Sequence, residues 1–181
     1  MAYDPKAIAN YFLDLAESRG VPIEPMKVRN LVYFAHAWHL SITGEPLIAE
    51  NVQAWGYGPV IPSLLNAFPG PVLEPIRSRA VSHSIGRGPH GLTYEEYTPS
   101  LDETTEEGGV AKAILDRVWE VYGHFSAVQL ANMSHSAGSP WQSIFDRHGG
   151  EIPAGEIIPP GEIRDHFSHL GESRARHASS A

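Results

Sequence analysis

Apolar positions between Met26 and Ile42 recur at spacings of three and four: Val28, Leu31, Ala35, Trp38 and Ile42 form one helical stripe. Val32, Tyr33, Phe34 and Leu40 fill the other faces, so this helix is apolar nearly all round. Such a helix is buried by neighbours on several sides, which makes it the expected centre of the fold. Ahead of it, Asp4 as N-cap and Pro5 at the first helical position open a helix with Ile8, Phe12, Leu15 and Ala16 on its apolar face, stopped by Gly20. After Thr43-Gly44, Leu47–Trp55 shows no helical stripe and holds a short extended piece at Val52–Trp55. Gly56-Tyr57-Gly58-Pro59 reads as a turn, with Pro59 in the first turn of a helix to about Phe68 that buries Leu64, Leu65 and Phe68.

The period changes after the break Pro69-Gly70-Pro71. Ala80–Ile85 and Leu92–Thr98 show a period of two around a glycine-rich connection, the pattern of a small antiparallel hairpin or an ordered loop. Helical periodicity then returns behind three capping signals. Thr104 with Glu107 opens a helix carrying Ala111, Ile114, Leu115, Val118 and Tyr122 and closed by Gly123. Ser126 with Gln129 opens a short one with Val128, Leu130 and Met133; Ser139, Pro140 and Gln142 open a third, to Gly149. A last helix, Glu162–Leu170, precedes a small polar tail. The predicted architecture is mainly α, with α+β as the variant. It is a helical bundle in one domain (residues 1–170) around a buried central helix, with a small β-hairpin or extended insert and a disordered tail (171–181).

Composition narrows the function classes. A chain of 181 residues with 42% apolar and 19% charged residues buries a sizeable core as one domain. No apolar run is long enough for a membrane span, the N-terminus lacks signal-peptide character, and there is no cysteine for disulfides, thiolate chemistry or zinc fingers. The cytoplasm follows by elimination. A net charge of −8 argues against a general nucleic-acid binder and suits a basic protein partner.

Ten histidines invite a metal reading. His36 with His39, and His166 with His169, share faces at a spacing of three, but no acidic residue completes a ligand set and no His-Glu-x-x-His occurs. Gly86-x-Gly88-x-x-Gly91 matches the dinucleotide fingerprint in letters only. Its flank is extended and Pro89 interrupts it, so it reads as a turn. Ser134 and His135 are adjacent on a helix and point apart, which disfavours a catalytic pair. The expectation is no metal, no cofactor and no enzymatic activity. Trp55, Tyr57 and Trp141 read either as core or as the rim of a recognition surface.

The order Leu31-Val32-Tyr33-Phe34-Ala35-His36-Ala37-Trp38-His39-Leu40, Thr43-Gly44-Glu45-Pro46-Leu47, Gln53-Ala54-Trp55 and Tyr57-Gly58-Pro59-Val60-Ile61-Pro62 resembles the Panacea domain of the SocA-like antitoxin family, which includes phage-associated GepA-like proteins. A later block agrees: Val121-Tyr122-Gly123, Ser126-Ala127, Gln129-Leu130, Ser134-His135 and Ser139-Pro140-Trp141. Asn30 and Ser134 depart from the lysine and threonine common there. The resemblance implies an antitoxin that neutralises a cognate protein toxin by direct binding. The alternatives are a proteolytic adaptor that hands the toxin to a protease, or a metal-dependent hydrolase. Since the family meets unrelated toxins, the shared motifs are expected to be scaffold. Leu31, Tyr33, Phe34, Ala35, Trp38, His39, Gly44, Tyr122, Gly123, Ser126, Leu130 and Pro140 belong to that scaffold. Trp55, Tyr57, Gly58, Pro59, His135 and Trp141 are the candidate binding residues.

Overall fold

The computed structural model describes residues 2–68 and 70–179. Within them the chain is mainly helical, with seven helices and two small antiparallel hairpins. Helix α1 spans Pro5–Ser18 and has the expected cap: the Asp4 carboxylate accepts the Lys6 N–H at 2.8 Å, and Pro5 supplies the preset φ of the first turn. Helix α2, Pro25–Thr43, is the central element. Val28, Leu31, Val32, Tyr33, Phe34, Ala35, Ala37 and Leu40 are all buried, because α1, α4, α5 and α7 pack around it. Gly44 ends it at φ +78, a left-handed C-cap that costs a glycine nothing sterically. Ile42, the last residue of the predicted stripe, is instead 64% exposed, at the rim of a cavity that it lines with Ala113 and Arg117 of α4 and Arg174 of α7.

Strands β1 (Gln53–Trp55) and β2 (Gly58–Val60) pair antiparallel, Gln53 opposite Val60 and Trp55 opposite Gly58. Pro59 therefore lies in a strand and not in a helical turn. Pro62 opens the short helix α3, Pro62–Leu65, which ends before Phe68; Leu64 and Phe68 are buried and Leu65 only half-buried. Backbone bonds Ala54 N–H to Glu156 O and Ile158 N–H to Val52 O fasten β1 to the loop before the last helix. Of the expected Pro69–Pro71 break, Pro69 is outside the described residues.

The predicted hairpin is present as β3 (Ser82–Gly88) and β4 (Gly91–Tyr97), joined across Pro89 and His90. Helix α4, Glu106–Tyr122, is capped one residue later than expected, by Thr105, whose hydroxyl accepts the Gly108 N–H. Thr104 is held instead by the Asp102 carboxylate. Ser126 and Gln129 form the full capping box of α5, Ala127–Ser134, though Val128 on that helix is exposed. Ser139 caps α6, Pro140–Arg147, with Pro140 in its first turn.

Helix α7 runs from Pro160 to Ser179 without a break at Leu170, where the sequence predicts a disordered tail. Ile163 and Phe167 seat it on the core, and the Arg174 guanidinium lies 5.8 Å from the Trp38 ring, a cation–π contact that holds the extended turns. Ser180 and Ala181, the end of the expected tail, lie outside the described residues. No described helix is long and apolar enough to cross a membrane.

Candidate functional site

Residues from the two halves of the sequence meet at the β1–β2 hairpin. Trp141, at the start of α6, is buried and donates its indole N–H to the Trp55 carbonyl at 2.7 Å. Its ring meets His135 edge-on at 5.6 Å and stacks on Phe145 at 5.0 Å. Gly58 has φ +127, in the half of φ space that L side chains rarely adopt. A Cβ there would come within 3.4 Å of His135 Nδ1 and 3.7 Å of Ser134 Oγ, so the hairpin lies directly on the end of α5. His135 is the C-cap residue of α5, and its Nδ1 is buried without a hydrogen-bond partner among the described residues. Ser134 donates to the Ala131 carbonyl at 2.8 Å, a local bond that gives no nucleophile and base arrangement with its neighbour.

This junction divides the candidate aromatic set. Trp141 is core, whereas Trp55 is 41% exposed and Tyr57, at the hairpin tip, is 96% exposed. Pro59 and Gly58 shape the hairpin that carries them. Beneath the tip lies a cavity of about 190 Å³, lined among others by Arg29, Asn30, Tyr33, Tyr57, Pro59 and Ser134. Arg29, Asn30 and Tyr33 come from one side of α2, at spacings of three and four. Tyr33 is buried, and its hydroxyl has no partner among the described residues. Burial holds that phenol strongly in its neutral form.

The second motif junction is the far end of the core. The Phe34 and Tyr122 rings stack at 4.5 Å, and the Tyr122 hydroxyl accepts the Trp38 indole N–H at 3.0 Å. Gly123 leaves no room for a side chain, since a Cβ would sit 2.5 Å from the Trp119 carbonyl. Its own carbonyl accepts the ammonium of buried Lys27 at 2.6 Å, a cation against the negative end of α4. Leu31, Ala35, His39, Leu130 and Pro140 are buried, and Ser126 and Gly44 terminate helices.

The histidine pair of α2 is inward. His39 Nδ1 lies 2.8 Å from the Glu45 carbonyl, while His36 Nδ1 is buried with no partner among the described residues. Desolvation, and next the His39 charge, push His36 down to about 4, so its ring is neutral near pH 7. Among the described residues no three His, Cys, Asp or Glu side chains cluster as a metal-ligand set.

Sequence patterning missed two features. One is Arg29, whose guanidinium clamps the Leu64 and Leu65 carbonyls from the cavity wall; nothing in its neighbours in sequence marks it. The other is the exposure of the β3–β4 hairpin. Cross-strand register puts His83, Ile85 and Arg87 on one face with Leu92, Tyr94 and Glu96. Ile85, Leu92 and Tyr94 are 74%, 77% and 67% exposed. The alternation of these apolar residues with Ser84, Gly86, Thr93 and Glu95 was a legible signal for one apolar face, though not for its lack of a cover.

A family model described as Antitoxin SocA-like, Panacea domain, matches residues 30–142. The chain is also similar to the antitoxin SocA of Caulobacter vibrioides (strain NA1000 / CB15N), at 33% identity over 164 residues, which are 91% of this chain and 82% of that protein. No solved structure gives a significant match. The matched segment contains both motif junctions, and the chain belongs to the SocA-like antitoxin family and carries its Panacea domain.

Proposed function

We propose that the chain neutralises a protein toxin by binding it directly, with the apolar face of the β3–β4 hairpin as the main contact. One observation carries this reading. Most of the family-motif residues are turned inward or used as caps, while Ile85, Leu92 and Tyr94 stand exposed on an arm whose strands contact little but each other. Large apolar side chains grouped on a surface are interaction sites in soluble proteins, and a toxin is the partner that the family supplies. Binding, not catalysis, does the work, and no nucleic acid takes part. The encounter is set in the cytoplasm.

The test is growth rescue and co-purification with the product of the adjacent open reading frame. The wild-type chain should abolish toxicity and form a stable complex. The triple variant Ile85→Ser, Leu92→Ser, Tyr94→Ser should lose both while keeping its helical circular dichroism. A triple variant that still binds, beside a Trp55→Ser, Tyr57→Ser variant that does not, would move the contact to the β1–β2 tip. Rescue without a complex would favour the proteolytic adaptor and overturn direct neutralisation.

A further inference from the structure

Glu45, Glu106 and Glu107 line one cavity of about 410 Å³ between the end of α2 and the start of α4. Among the described residues none of the three forms an ion pair, and no lysine or arginine lines the cavity. Glu106 and Glu107 suit the positive end of the α4 dipole. Glu45 does not suit its place, since it follows the C-cap of α2, where a negative charge is unfavourable. One positive charge, that of the amino terminus, acts on His39 in the same wall; the carboxylates outnumber it.

Two nearly buried side chains point to what the cavity takes. Tyr3 is 9% exposed, and backbone bonds of 2.8 Å to Leu47 and Ala49 hold it in place. Its hydroxyl has no hydrogen-bond partner among the described residues and, unlike that of Tyr33, is not sealed from solvent; this cavity is where the residue reaches the surface. His39, also 9% exposed, is drawn below its ordinary value by burial and is neutral at pH 7. Its Nδ1 lies 2.8 Å from the Glu45 carbonyl, which only accepts, so the ring proton sits on Nδ1 and Nε2 keeps a free lone pair. Nε2 too is unpartnered among the described residues and not sealed. The cavity thus gathers acceptors: three carboxylates, an imidazole lone pair and a phenol oxygen, beside an apolar wall of Val110 and Pro46. We propose that this cleft takes the basic side chain, arginine or lysine, of a bound protein. The charged head lies among these acceptors and the methylene stem lies along Val110 and Pro46. The cleft adjoins the base of the β3–β4 arm, where Asp4, next to Tyr3, accepts the Ser82 hydroxyl at 2.7 Å. A protein seated on the arm reaches it, and a chain of net charge −8 draws a basic partner. The occupant rests on the reading of the arm as the toxin's seat; the chemistry of the cleft does not.

Amide ¹H–¹⁵N NMR titration of the full chain tests this with three capped peptides, acetyl-Ala-Arg-Ala-amide, acetyl-Ala-Lys-Ala-amide and their uncharged norleucine counterpart. One or both basic peptides should shift the amides of residues 3–4, 39–45 and 106–110, and the norleucine peptide should not. Tyr3→Phe removes only an unpartnered hydroxyl, keeps the fold, and should weaken binding about fivefold. Glu45→Gln with Glu107→Gln should abolish it, while Glu151→Gln with Glu172→Gln, which removes the same charge outside the cleft, should leave it unchanged. Equal shifts by the norleucine peptide, shifts scattered over the surface, equal loss in the two glutamine pairs, unchanged affinity in Tyr3→Phe, or no shift by either basic peptide would each overturn the proposal. Peptide binding without a complex between the chain and the adjacent gene product would retain the cleft and overturn the toxin reading; such a complex without peptide binding would do the reverse.

Discussion

The indole N–H of Trp141 donates to the backbone carbonyl of Trp55 across 86 residues of sequence, at 2.7 Å. That bond ties the β1–β2 hairpin to the start of α6, and with it the first motif block to the second. It explains why one tryptophan of the motif is buried while the other stands half-clear: Trp55 contributes its carbonyl to the junction and its ring to the surface.

Trp141→Phe keeps an aromatic ring against His135 and Phe145 but removes the donor and leaves a gap. Loss of a largely buried hydrogen bond costs about 1–2 kcal/mol, and the lost ring volume adds to it. The thermal midpoint should fall by about 4–8 °C, measured by circular dichroism. An unchanged midpoint would mean that the two motif blocks are joined elsewhere.

Gly58→Ala should be costlier than its one methyl group suggests. The residue holds φ +127, and the added Cβ would press on His135 Nδ1 at 3.4 Å. Strain of this kind costs about 1–3 kcal/mol. Because the strain is confined to the hairpin, hydrogen exchange should rise at residues 53–60 before it rises in α2.

What was legible in the chain was local. Asp4, Ser126 and Ser139 cap the helices that their side chains predict, and Gly44 ends α2, because a cap is decided within four residues. Pro59 and Pro62 offer the same local signal. The first became a strand residue because Trp55 and Gly58 pair and His135 packs beneath them, a tertiary fact. The continuation of α7 past Leu170 likewise brings Arg174 to Trp38 of a distant helix, a contact that local patterning does not show. At the candidate site, the motif named Trp55, Tyr57 and Trp141 together. Only the packing of α6 separates the buried ring from the exposed ones.

His36 links the core to pH. Its ring is buried and its value is held near 4, below the ordinary 6.5 of an exposed histidine in the unfolded chain. Between those values the unfolded state binds the proton and the folded state does not, so stability is complete above about 6.5 and falls as pH drops toward 4. From pH 7 to pH 5 the loss from this one group is about 2 kcal/mol. His39, also lowered by burial, acts in the same direction. Urea denaturation at pH 7, 6 and 5 should show the decline, and His36→Phe should flatten it. A wild-type slope unchanged in His36→Phe would assign the acid sensitivity to other groups.

The β3–β4 arm should be removable without harm to the fold. Its base is pinned by Asn10, which is buried, donates to the Ala80 and Pro99 carbonyls at 3.0 and 2.9 Å, and accepts the Ala80 N–H at 2.8 Å. Ser82 adds a bond to the Asp4 carboxylate at 2.7 Å. Beyond that base every residue from 83 to 97 except Gly88 is exposed. His83 and Glu96 face each other across the ladder, so an Asn-Gly pair in place of residues 84–95 closes the strands with a two-residue turn of the favoured type. The shortened chain should melt within about 2 °C of the wild type, as surface changes do. Asn10→Ala, which strands three backbone groups, should cost about 3 kcal/mol and lower the midpoint by about 8 °C. The two variants separate holding the arm from using it. The shortened chain should stay folded and lose toxin co-purification, while a shortened chain that still binds would place recognition on the β1–β2 tip.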